Sequence, residues 1–120
     1  MLSLPPSVRV FICARPTDLR CSFDRLAALA SGVLRQDPLA GHLFLFRNGR
    51  GDRLKILYWD GDGYVIWYKR LEAGVFDIPA DAAAQPELDA RRLAALLGGF
   101  DPASARAAKR CRRPGLAALS

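Results

Sequence analysis

A chain of 120 residues, 51% hydrophobic and 25% charged, has the balance of one ordinary globular domain with a modest core, which excludes a fibre or a wholly disordered chain. The net charge of +6 is concentrated at one end: the stretch after Asp101 carries Arg106, Lys109, Arg110, Arg112 and Arg113 and no acid, leaving about +1 for the remainder. Three scattered cysteines, Cys13, Cys21 and Cys111, and one histidine, His42, form no Cys-x-x-Cys and no His pair, so they support neither a zinc site nor a disulfide framework.

The first fifteen residues are apolar-biased but interrupted by Pro5, Pro6 and Arg9, and lack the continuous apolar run of a signal peptide. No stretch approaches the roughly 18 to 20 apolar residues of a membrane helix. The expectation is a cytoplasmic protein with no membrane partner.

Residues 8–14 read as a short strand able to join an edge of a sheet, ended by Arg15-Pro16. Thr17 or Asp18 can cap a helix whose apolar positions Leu19, Phe23, Leu26, Ala30 and Val33 alternate in steps of four and three, the spacing of one buried stripe. Asp37-Pro38 should stop it.

The organising stretch is residues 41–76. Asn48-Gly49 and the run Asp60-Gly61-Asp62-Gly63 cut it into three segments rich in Leu, Ile, Val and aromatic residues, the pattern of an antiparallel meander. If the second loop holds an even number of residues, Lys55, Leu57, Trp59, Tyr64, Ile66, Tyr68 and Arg70 share one face. Leu54, Ile56, Tyr58, Val65, Trp67 and Leu71 then share the other, with Lys69 as the exception among them. The second set reads as core, and the first helix is expected to pack on it.

Residues 75–78 offer a further strand before Pro79. After the alanine-rich connector 80–85, Pro86-Glu87 is expected to open a second helix in which Leu88, Leu93, Leu96 and Leu97 lean to one side and Gly98-Gly99 forms the cap. The fold class is α+β: a small antiparallel β-meander sheet packed against one N-terminal and one C-terminal helix. Residues 1–101 form the single domain, and 102–120 are a basic tail expected to be mobile.

The candidate chemistry is sparse. The Asp60–Gly63 run fails as a calcium loop, because Tyr64 stands at the third ligand position and Leu71 where the bidentate glutamate belongs; a hairpin turn explains it. Asp52 with Asp60 and Asp62 could be offered as a metal-dependent nuclease cluster, yet their spacing is unconvincing and acids beside turns are usually solvated. Arg50-Gly51-Asp52 is a three-residue match to an adhesion signal without weight. Asp18, Arg20, Asp24 and Arg25 form a charged group on the first helix, either a solvated face with pairs such as Arg20 and Asp24 or a docking surface for a partner. The basic tail and the aromatic-cationic sheet surface (Lys55, Trp59, Tyr68, Lys69 and Arg70) point jointly to nucleic acid. Clustered cations bind phosphates by releasing counterions, and open aromatic rings stack bases. The plain alternative is that the second helix covers Trp59, Tyr64 and Tyr68.

Thr17-Asp18-Leu19-Arg20, Phe23-Asp24 with Leu26, Asp37-Pro38 with Gly41, and LFLFRNGRGDRLKILYWDGDGYVIWYKRLEAGVF from Leu43 to Phe76 closely resemble the Orf2-like accessory protein, called TnpB, of the bacterial insertion-sequence family numbered sixty-six. The similarity runs from about Val8 to about Asp101. The resemblance implies a non-enzymatic accessory role in transposition, beside a separate transposase that carries the catalytic acids. The implied partners are DNA, at transposon ends or non-specifically, and that transposase, with no cofactor, metal or small-molecule substrate. Thr17, Asp18, Arg20, Phe46, Arg47, Lys55, Trp59, Asp60, Gly63, Lys69, Arg70 and Leu71 transfer only as family signature. The C-terminus departs from the family pattern: Gly99-Phe100-Asp101 is followed by Pro102, with no tryptophan after Trp67. The alternative function is a pure protein-interaction subunit of the transposition complex.

Overall fold

The computed structural model describes residues 7–98, in which five strands and two helices follow the order β1 (Val10–Ile12), α1 (Phe23–Gly32), β2 (Leu43–Arg47), β3 (Arg53–Trp59), β4 (Tyr64–Arg70), β5 (Glu87–Leu88) and α2 (Ala90–Gly98). They form one sheet in the order β4-β3-β2-β1-β5, antiparallel except for the β1–β2 pair. The fold is α+β.

The meander forms where its turn residues dictate. Between β2 and β3 the Asn48 side chain organises the loop: Oδ1 accepts from the backbone N–H groups of Gly51 and Arg53, each at 3.0 Å, and Nδ2 donates to Asp52 Oδ1 at 2.8 Å. Gly51 has φ +80°, a backbone conformation that favours glycine, and it lies against Val75. Asp60–Gly63 closes the β3–β4 hairpin with Asp60 N–H donating to Gly63 C=O at 3.1 Å. That loop is even, so Lys55 stands opposite Tyr68, Leu57 opposite Ile66 and Trp59 opposite Tyr64, and the two sets of side chains fall on the expected faces.

Elsewhere the structure corrects the expectations. Strand β1 is shorter than 8–14; it joins the β2 edge of the meander, as expected, but β5 then covers its other side, so it lies inside the sheet. Its residues are buried on both faces, Val10 and Ile12 on one and Phe11 on the other, which is how a parallel strand flanked by neighbours reads. Residues 75–78 form no strand; Phe76 N–H donates to Gly51 C=O at 2.8 Å and its ring is buried. Pro86-Glu87 begins β5, not a helix. Ile12 N–H donates to Pro86 C=O at 2.8 Å, and Arg9 grips Glu87 through two bonds of 3.0 and 2.8 Å, which holds the Glu87 carboxyl below its ordinary range. Helix α2 starts afterwards, with Asp89 Oδ1 accepting from Arg92 N–H at 2.7 Å as its cap.

Helix α1 starts later than expected. Asp18 Oδ1 accepts from Arg20 N–H at 3.0 Å and Cys21 N–H donates to Asp18 C=O at 3.0 Å, so residues 18–21 form a turn and the helix opens after Ser22. It buries Leu26 and Ala30, flanked by Leu19 and Leu34, whereas Phe23 and Val33 face outward at 43% and 49% exposure. It ends at Gly32, ahead of Pro38, and Arg35 turns the chain at φ +59°.

The helices also divide the sheet differently. Helix α1 packs with Phe11, Phe44, Phe46 and Leu57, on the face that carries Lys55 and Tyr68, not on the Leu54 and Ile56 face. That second face, with Ile12, Leu43 and Leu45, receives α2 through Leu93, Leu96 and Leu97, together with Phe76 and Ala82. Because β1 and β2 are apolar on both sides, the sheet needs a layer on each. Fully burying each large side chain contributes about 1.5–3 kcal/mol.

Candidate nucleic-acid interface

The face of β3 and β4 proposed for nucleic acid is divided by α1. In its middle Leu57 is fully buried and Ile66 and Tyr64 pack partly against the helix layer. Trp59 lies at one end, meeting Tyr64 edge-on at 5.2 Å between ring centroids. Lys55, Tyr68, Arg53 and Arg70 lie at the other, roughly 13 Å away at the rise of a strand. The helix that reaches Tyr64 is the first one; Tyr68 remains 50% exposed.

At the Tyr68 end the meander and the turn before α1 enclose a groove of about 360 Å³, lined by Thr17, Asp18, Leu19, Arg20, Asn48, Gly49, Arg53 and Tyr68. Each wall has a local cause. The Asn48-centred turn fixes Gly49, Thr17 N–H donates to Arg47 C=O at 2.8 Å to anchor the other lip, and strand alternation aims Tyr68 and Arg53 to the same side. Lys55 Nζ donates to Cys21 C=O at 3.0 Å and lies 5.2 Å from the Tyr68 ring centroid, so it supports the ring as a cation–π partner.

The charges sort into satisfied and unsatisfied. Arg20 and Asp18 pair at 2.7 Å, and the Arg20 guanidinium holds the Asp18 carboxyl down to about 2. Arg70 pairs with Glu72 at 3.1 Å. Arg53 stands directly opposite Arg70 and forms no ion pair among the described residues.

Of the residues predicted for nucleic acid, Lys55, Trp59, Tyr68 and Arg70 share one face, but Trp59 is remote from the groove. Lys69 is on the opposite face, where Nζ donates to Leu97 C=O at 3.1 Å near the C-terminal end of α2. Arg106, Lys109, Arg110, Arg112 and Arg113 lie outside the described residues. In the predicted docking group, Asp18 and Arg20 precede α1 and pair with each other, so the expected Arg20–Asp24 helix pair is replaced by this shorter one; Asp24 and Arg25 are exposed in the first turn of the helix. Sequence reading missed Arg53 as a site residue, although its place two residues before Lys55 puts it on the same face.

The three acids offered as a nuclease cluster are separated by the length of β3: Asp52 is in the loop before it and Asp60 and Asp62 in the loop after it. Asp52 is held by Asn48, which lowers its pKa. Among the described residues, no group of three or more His, Cys, Asp or Glu side chains could hold a metal ion, and no helix is long and apolar enough to cross a membrane.

By fold and surface this is a small α+β protein with a groove in which Tyr68 and Arg53 stand beside the Asp18–Arg20 pair. The family described as IS66 Orf2 like protein matches residues 8–107. The chain is 39% identical over 101 residues to the uncharacterized protein y4hO of Sinorhizobium fredii, covering 84% of this chain and 88% of that one. It is 33% identical over 101 residues to the uncharacterized protein y4jC of the same organism, covering 84% and 86%. No solved structure matches at a significant level. The chain belongs to the IS66 Orf2-like family, accessory proteins of insertion sequences.

Proposed function

We propose that this protein binds DNA as an accessory factor of transposition and holds it for the separate transposase. The observation that carries the reading is the exposed Tyr68 ring beside Arg53, a guanidinium with no carboxylate partner among the described residues, in one groove. Arg53 stands directly opposite Arg70 on the adjacent strand, and because Glu72 offsets only the Arg70 charge, a phosphate beside Arg53 would complete the neutralisation of the pair. An open ring next to it offers a stacking surface for a base. The cations of the 102–120 segment add sequence-independent attraction.

Fluorescence anisotropy against the element's terminal repeat duplex and a scrambled duplex, at low and near-physiological salt, tests this. A preference for the terminal repeat that survives the higher salt, and that Arg53→Ala and Tyr68→Ala each weaken about 5- to 150-fold, supports the reading. Binding that is equal for both duplexes and unchanged by both variants would remove the groove from it. Absence of DNA binding together with co-purification of the transposase would favour the alternative, an interaction subunit whose contacts include Asp18, Arg20, Asp24 and Arg25.

A further inference from the structure

The two edges of the sheet are built differently. β5 is two residues long and follows Pro86, so little of it can template another strand. β4 is seven residues long, pairs with β3 without a bulge from Arg53–Arg70 to Trp59–Tyr64, and contains no proline. Its charges do not guard the edge either: Lys69 is turned inward to Leu97, and Arg70 is held by Glu72.

The hydrogen-bond phase shows which backbone groups face outward. Asp60 N–H bonds Gly63 C=O, and Leu71 N–H bonds Asp52 C=O, so the bonded pairs of the ladder include Tyr58–Val65, Ile56–Trp67 and Leu54–Lys69. The N–H and C=O groups of Tyr64, Ile66, Tyr68 and Arg70 therefore point away from β3, and no partner for them exists among the described residues.

We propose that β4 pairs antiparallel with β4 of a second copy of this chain, joining the two sheets into one across a two-fold axis at Trp67. The occupant is argued from self-complementarity. In the register centred on Trp67, Tyr64 meets Arg70 of the second copy and Ile66 meets its Tyr68, so the outward backbone groups of all four residues are satisfied together. Trp67 meets its own counterpart at a non-bonded position, where side chains approach most closely. Lys69 faces Val65 and Arg70 faces the Tyr64 ring, so no like charges stand opposite each other within the paired strands. The axis is perpendicular to the sheet, and the two Tyr68 grooves open on the same side. This inference is independent of DNA binding.

The test is sedimentation velocity on the full chain from about 1 to about 200 µM, a range that spans weak to moderate self-association. A rise from the 13.2 kDa monomer toward twice that mass is expected. Tyr68→Ala removes the ring but keeps its N–H and should still dimerise. Tyr68→Pro removes the outward N–H without breaking the β3 ladder, and should raise the dimer dissociation constant at least about tenfold, while far-UV circular dichroism verifies the fold. If Tyr68→Pro does not fold, appending a strand-length peptide of residues 64–70 in excess should compete the wild-type dimer apart. A wild-type chain that stays monomeric throughout, or a dimer that the folded proline variant or the peptide leaves unchanged, overturns the proposal.

Discussion

Lys55 and Lys69 both donate their ammonium to a backbone carbonyl, on opposite faces of the sheet. Period-two alternation assigns each lysine to its face from sequence alone. The acceptors could not be read that way, because Cys21 and Leu97 are 34 and 28 residues distant along the chain. For Lys69→Met the expected result is a loss of about 0.5–1.5 kcal/mol in urea unfolding, with DNA affinity changed less than about twofold. A large loss of DNA affinity at unchanged stability would show that the ammonium serves the nucleic acid instead. Asp18 gives the acid side. Its folded pKa of about 2 is below the ordinary 3.8, so its pairing with Arg20 contributes fully above 3.8 and is lost as pH falls through about 2, because the unfolded chain takes up the proton first. Asp18→Asn should therefore flatten part of the fall in urea midpoint between about pH 4 and pH 2. An acid limb identical to wild type would show that this exposed pair does not couple to folding.

At the level of elements, the existence of α1 was legible from the spacing of Leu19, Phe23, Leu26, Ala30 and Val33, although Phe23 and Val33 turn outward and Leu19 precedes the helix; the sheet face it covers was not legible. β1 and β2 are apolar on both sides, and nothing in their pattern says which helix takes which layer. Pro86-Glu87 was misread for a related reason: proline suits a helix start, and a strand of two residues is defined by its distant partner β1, not by its own sequence. The layered arrangement has a measurable signature. Leu26 on α1 and Leu96 on α2 are both fully buried, on opposite sides of the sheet. Leu26→Ala and Leu96→Ala should each cost about 2–4 kcal/mol. In the double variant the losses should add within about 0.5 kcal/mol. Strong coupling would mean that the two helices share one core.

For the whole molecule, charge and fold separate along the chain. Every strand and helix described lies within residues 7–98, while five of the cations behind the net +6 follow Asp101. Replacing Arg106, Lys109, Arg110, Arg112 and Arg113 by Gln should leave the urea midpoint unchanged. If those cations contact phosphates, the slope of log affinity against log salt should become shallower by up to about 4.5, at roughly 0.9 per contact. An unchanged slope would assign the electrostatics to the groove alone. The sheet order carries a different consequence, for synthesis. β1 leaves the ribosome well before one of its neighbours: its partner β5 is made nearly eighty residues later, as the Val10–Leu88 pair shows. The apolar inner strand therefore waits with one flank open while the meander forms. A pause in translation before Leu88 would lengthen the time during which a nascent chain can be captured by chaperones or by its neighbours.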